Sequence, residues 1–153
     1  MKTTLTICGC LKSAAVCVAV ALILTAAAEG QSQSLDILRF TPPKSWTLTN
    51  KGGAVVISNI ESAKNAFCVV TISSSRPSEG TPQSDFTKEW ASQIVVPYKA
   101  DAKPKSESQT DAGWTTTSAA SPIEIDGIKS LALLTVISGY GRVATILSIL
   151  NSD

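Results

Sequence analysis

From Leu35 onward the apolar positions recur in short runs broken by turn residues, which predicts a succession of strands, and one segment alone carries helical spacing. Leu35, Ile37, Leu38 and Phe40 make a first strand, ended by Pro42-Pro43 because proline cannot donate to a ladder. Trp46-Thr47-Leu48-Thr49 starts a second. Lys51-Gly52-Gly53 supplies the positive-φ residues of a tight hairpin, and Ala54 to Ser58 returns with β-branched side chains. Phe67 to Ser73 forms the next strand, and Arg76 to Pro82 reads as loop.

The helix is expected to start at Ser84 as N-cap, with Asp85 in the first turn facing the positive end of the helix dipole. Phe86, Trp90 and Ile94 recur at i, i+4 and i+8 and should lie on a sheet, with Lys88, Glu89 and Ser92 turned to solvent and Pro97 as the stop. Lys99 to Asp111 has no apolar residue larger than alanine. It is expected to be a mobile loop.

Strands then resume. Trp114 to Ile125 and Ile128 to Ser138 flank Asp126-Gly127, a two-residue hairpin signal, and the second of them is apolar on both faces as a central strand should be. Gly139-Tyr140-Gly141 turns the chain again. For Arg142 to Leu150 the positions Val143, Ile146, Leu147 and Leu150 also fit a helix, but two preceding hairpins set up a meander, so a last strand is expected.

The first thirty residues follow a different pattern. Lys2 and Lys12 form a positive region with no acid before Glu29, Ala14 to Ala28 is a mostly apolar run, and Ala26-Ala27-Ala28 offers small residues to a signal peptidase. Cleavage between Ala28 and Glu29 is the reading, which makes the protein exported, periplasmic or extracellular. The rival is an uncleaved anchor, but crossing a hydrocarbon layer ~30 Å thick takes about twenty apolar residues, more than this run has. The chain then divides into a signal over residues 1–28, a polar linker over 29–34 and a single α+β domain over 35–153. Cys8, Cys10 and Cys17 leave with the signal, so Cys68 alone remains. Within Ala66-Phe67-Cys68-Val69-Val70 it reads as a buried, inert thiol.

Composition narrows the chemistry. Lys and Arg number 13 against 12 Asp and Glu, a formal charge of +1 that becomes −1 once Lys2 and Lys12 are removed. Such a balance cannot hold a phosphate backbone, so no nucleic-acid partner is expected. The chain has no histidine, which removes Ser-His-Asp and Cys-His catalysis and histidine-bearing metal sites. No cofactor is expected either. Gly139-Tyr140-Gly141-Arg142-Val143-Ala144 matches a dinucleotide fingerprint, yet Asp153 comes too soon for the helix, strand and acid that such a site needs. Glu124 and Asp126 are the close acidic pair, and alternation puts both on the polar face opposite Ile123 and Ile125. A solvated strand edge is the expectation there, and a carboxylate-dependent hydrolase the alternative. Trp46, Trp90 and Trp114 could make a sugar-stacking platform, although three tryptophans in a small α+β domain more often pack helix on sheet. Trp46, Trp114, Tyr140 and Arg142 are the candidate ligand-surface residues.

Phe40-Thr41-Pro42-Pro43-Lys44-Ser45-Trp46, a hairpin, a further strand, a helix with Phe86 and Trp90, then Gly113-Trp114 and two long strands resemble the exported PsbP-type and DcrB-type domains from about Leu35 to Leu150. The resemblance implies an antiparallel sheet flanked by helices, in a family composed mainly of accessory or binding proteins rather than enzymes. Such domains close with a helix after the last strand. Here Asn151-Ser152-Asp153 follows instead, so the expected fold is an antiparallel meander packed by one helix, lacking that closing element or truncated before it. The expected function is an exported, non-catalytic accessory or binding protein for a protein or small-molecule ligand, touching a membrane only through an uncleaved signal; a membrane-tethered interaction domain is the second alternative.

Overall fold

Alternation sets the fold: the strands Ile128–Gly139 and Arg142–Asn151 carry apolar side chains on both faces, whereas Trp114–Ile125 buries mainly one. One face of the sheet therefore calls for cover along its long strands and the other only in part. The computed structural model describes residues 31–151. The signal segment, with its cleavage point between Ala28 and Glu29, and Cys8, Cys10 and Cys17 lie outside the described residues. The chain runs β1 (Gln33–Leu35), β2 (Leu38–Phe40), β3 (Thr47–Lys51), β4 (Ala54–Glu61), β5 (Ala66–Ser73), β6 (Arg76–Pro77), α1 (Pro82–Trp90), β7 (Ser106–Asp111), β8 (Trp114–Ile125), β9 (Ile128–Gly139) and β10 (Arg142–Asn151). α1 continues through a π-helical stretch Ala91–Val95 into a last turn Val96–Tyr98.

The architecture is α+β, an antiparallel sheet with one helix. The strand order is β3-β4-β5-β10-β9-β8-β7, and β6 adds a short pairing beside β10. Two meanders, β3–β5 and β7–β10, are therefore joined where β5 meets β10, with Ile72 opposite Ile146 and Cys68 opposite Leu150. This junction decides the state of β10. Val143, Ile146, Leu147 and Leu150 would suit a helix, but a helix would leave the facing edges of β5 and β9 without partners.

The register sorts the side chains into two faces. Val143, Leu147 and Ile149 of β10, with Leu134 and Val136 of β9 and Ala119 and Ile123 of β8, meet Phe86, Trp90 and Ile94 of α1 in the main core. On the opposite face Val55, Ile57 and Ile72 are buried beneath the β1–β2 hairpin, against Leu35, Leu38, Phe40 and Trp46. Helix and hairpin thus cover opposite faces at different ends of the sheet. The hairpin-side face of β7, β8 and β9 is covered by neither among the described residues.

Several expectations change. The first strand is a hairpin, with Asp36 in the left-handed region at φ 53°. The segment expected as loop before the helix pairs with β10 through Arg76 and Pro77. Thr81, not Ser84, caps α1: its hydroxyl accepts from the Ser84 backbone N–H while the Ser84 hydroxyl accepts from the Thr81 N–H, and Pro82 occupies the first turn, where its missing donor costs nothing. Pro97 does not stop the helix. The backbone widens to a five-residue step, with the Val96 N–H donating to the Ala91 carbonyl, and the chain leaves helical geometry at Lys99, φ 54°.

Ser106–Asp111 is an edge strand instead of a mobile loop. It buries nothing. Its six residues pair in unbroken register with β8, and the hydroxyl pairs Ser108–Thr117 at 2.7 Å and Thr110–Thr115 at 2.9 Å bind the two strands together. An edge strand needs backbone partners more than apolar side chains.

Candidate ligand surface

Three of the hairpin turns have the same local chemistry. Ala112-Gly113, Asp126-Gly127 and Tyr140-Gly141 all place both central residues at positive φ, the type I′ geometry that follows the right-handed twist of the strands. The glycine fingerprint Gly139-Tyr140-Gly141 is accordingly a hairpin leading into a strand, and no helix follows it. Ala112 and Tyr140 carry a side chain in a conformation that disfavours one. Both sit at the same end of the sheet.

At that end the two tips brace each other. The Tyr140 ring packs over Gly113, where a Cβ would come within 2.6 Å of the phenol oxygen, and the benzo ring of Trp114 packs over Gly139, where a Cβ would come within 2.7 Å of the indole Cε3. Each aromatic fills the space that a glycine on the neighbouring turn leaves open. The rings meet edge to face at 5.3 Å, and the Tyr140 hydroxyl donates to the Ala112 carbonyl at 2.7 Å. Tyr140 stays 74% exposed. Trp114 is partly buried, and with Gln109, Asp111, Ala112 and Thr116 it lines a shallow pocket of about 380 Å³ on the open face.

Arg142 shares that row of the sheet, across Gly139 from Trp114. Its guanidinium is already engaged. Nε donates to the Ser75 hydroxyl at 2.6 Å, and one terminal nitrogen reaches the Ser75 carbonyl at 3.1 Å and Asp36 Oδ2 at 3.3 Å. The same Asp36 oxygen accepts the Ser75 N–H at 2.9 Å and the Ser75 hydroxyl. Hydrogen bonding from Ser75, above all from its hydroxyl, holds the Asp36 carboxyl below its usual 3.8, and the Arg142 charge adds to the effect. Arg142 ties the tip of the β1–β2 hairpin to the sheet.

Trp46 does not join this surface. It packs against the Val55, Ile57 and Ile72 cluster, while Trp90 is buried against the sheet with its indole N–H donating to the Asp101 carbonyl at 2.8 Å. A platform of three tryptophans does not form. Glu124 is exposed on β8 opposite Lys129, whereas Asp126 lies in the turn at φ 50°, off the strand alternation that was expected to align the two.

The acids that sequence reasoning misplaced are Asp85 and Glu89. Glu89 was expected on the solvent side and Asp85 only as a first-turn acid facing the helix dipole, and both are buried between helix and sheet. Asp85 Oδ2 accepts from the Ser78 hydroxyl at 2.7 Å and from the Ser138 hydroxyl. Glu89 pairs with Arg76 and accepts from Gln93 Nε2 at 2.8 Å, and that nitrogen also lies 3.3 Å from the Thr145 hydroxyl. One signal was available: residues 85, 89 and 93 lie along the edge of the stripe formed by 86, 90 and 94. Among the described residues no buried side-chain nitrogen or oxygen lacks a partner, and no group of three or more Cys, Asp or Glu is placed to hold a metal ion. These acids fasten the helix to the sheet. Cys68, expected to be buried, lies on β5 only partly buried; the burial it has pushes its thiol above the usual 9.0, which keeps it protonated at neutral pH.

No family model and no curated protein matches this chain.

Proposed function

We propose that this chain is an exported, non-catalytic accessory or binding module that takes its ligand on the uncovered face of β7, β8 and β9. The observation that carries the reading is the contrast between the two halves of the hairpin-side face. One half is sealed by the β1–β2 hairpin, and the other presents Trp114, Thr116, Gln109 and Asp111 around a pocket. The buried carboxylates are tied up by Ser78, Ser138, Arg76 and Gln93, so they support a structural role over a catalytic one. The resemblance to exported PsbP-type and DcrB-type accessory domains supports the same reading, and the positive segment, apolar run and Ala26-Ala27-Ala28 support export.

The test has two measurements. Expression of the full chain with a C-terminal tag should yield exported protein whose mass begins at Glu29; membrane-bound protein retaining Met1 would favour the tethered alternative. Glu124→Gln and Asp126→Asn should leave ligand binding intact, and a turnover that either variant abolishes would make the protein an enzyme.

A further inference from the structure

We infer that the Trp114 end of the open face binds an uncharged sugar chain, its pyranose rings stacking on the indole. The inference rests on the reading of this face as the ligand surface and adds the class of ligand. Three observations carry it.

The first is a rigid aromatic platform. The indole rests on Gly139, where the absence of a Cβ lets the ring approach the backbone, and Tyr140 holds it at its edge. A ring fixed in this way loses little freedom when a ligand covers it, and the apolar C–H face of a pyranose suits an aromatic surface.

The second is the polar surround. Asp111 lies opposite Trp114 in the β7–β8 register, and Gln109 opposite Thr116 in the neighbouring row, all on the face that carries the pocket. A carboxylate, an amide and a hydroxyl together accept and donate, as sugar hydroxyls require. The pocket of about 380 Å³ is of small-molecule size and open enough for a chain to continue past it.

The third is charge. Asp111 and Glu107 both project from this face of β7, while the guanidinium in the same row, Arg142, is spent on Asp36 and Ser75. Nucleotides, phosphorylated lipids and acidic sugars would face the Asp111 and Glu107 carboxylates at this end. A neutral polyol would not be repelled by them.

The exported protein should be titrated with cellohexaose and chitohexaose as neutral chains and with hexagalacturonate as the acidic one, following tryptophan fluorescence and heat. A neutral chain should bind, hexagalacturonate should not, and Trp114→Ala should weaken binding roughly tenfold or more. Because Trp114 also packs on Gly139, the exposed variant Asp111→Ala provides a check independent of folding and should weaken binding as well. Binding that both variants leave unchanged, preference for hexagalacturonate, or no binding across a panel of neutral glycans overturns the inference. A parallel selection of displayed peptides separates it from the broader reading. Peptides that Trp114→Ala no longer retains would leave the face as the ligand surface while removing sugar as its ligand, and failure of both panels removes both.

Discussion

The benzo ring of Trp114 lies against Gly139 on the neighbouring strand, so close that a Cβ at residue 139 would also fall 2.6 Å from the Gly113 carbonyl oxygen. The contact cannot be relieved by rotating a side chain alone, because one of the atoms met is backbone. Gly139→Ala should therefore cost roughly 1–3 kcal/mol of stability and displace the indole. Urea denaturation and the tryptophan emission maximum check this together; an unchanged midpoint with unchanged emission would mean that the ring does not rest on Gly139.

Asp85 is buried and takes hydrogen bonds from Ser78 and Ser138. Removing a donor leaves a buried carboxylate short of a partner. Ser138→Ala is expected to destabilise by about 1–3 kcal/mol, and Ser78→Ala by less because that residue is only partly buried. Equilibrium denaturation of both variants decides it, and equal small effects would show that Asp85 is solvated in solution.

Arg76 and Glu89 differ in exposure, with side chains 44% and 7% exposed. Removing the arginine strands a buried acid, whereas removing both charges does not. Arg76→Met should cost about 1–3 kcal/mol, at the low end because water reaches the guanidinium, and adding Glu89→Leu should recover part of that loss. A double-mutant cycle by thermal denaturation gives the coupling. Additive losses would count against the pair.

The β1–β2 hairpin should loosen in acid. The folded-state carboxyl of Asp36 titrates below its usual 3.8 because Ser75 and then Arg142 favour the charged form, so the contribution is complete above that value and is lost as pH falls through the lower folded-state value. The carboxyl resonance of Asp36 should titrate below 3.8. In Asp36→Asn the protection of hairpin amides should no longer change over that range.

Cys68 should react slowly with iodoacetamide at pH 7 and faster in urea, since burial raises its thiol above 9.0. A native rate equal to that of a free thiol would place the side chain outside the sheet packing.

Much of the architecture was local enough to read along the chain. Asp126-Gly127, Gly52-Gly53 and Tyr140-Gly141 act within two residues of backbone, the boundaries of β8 emerged as expected, and Phe86, Trp90 and Ile94 marked the buried stripe without any knowledge of what lies beneath it. The candidate surface was partly legible. Trp114, Tyr140 and Arg142 share one end of the sheet because β8, β9 and β10 are consecutive hairpins, so their closeness follows from turn spacing.

Tertiary structure alone decided the rest. Ser106–Asp111 has no burial signal, since an edge strand is held by the backbone of β8. Asp85 and Glu89 are interior because Ser138, Arg76 and Gln93 give a buried carboxylate the hydrogen bonds it needs, and two of those three lie outside the turn of helix that carries the acids. Trp46 and Trp114 look alike in sequence, yet one packs against the Val55, Ile57 and Ile72 cluster and the other lies on the face of β8 that neither helix nor hairpin covers. Periodicity and turn chemistry act between near neighbours and can be read from residue order, whereas burial, ion pairing and exposure depend on which distant segment arrives alongside.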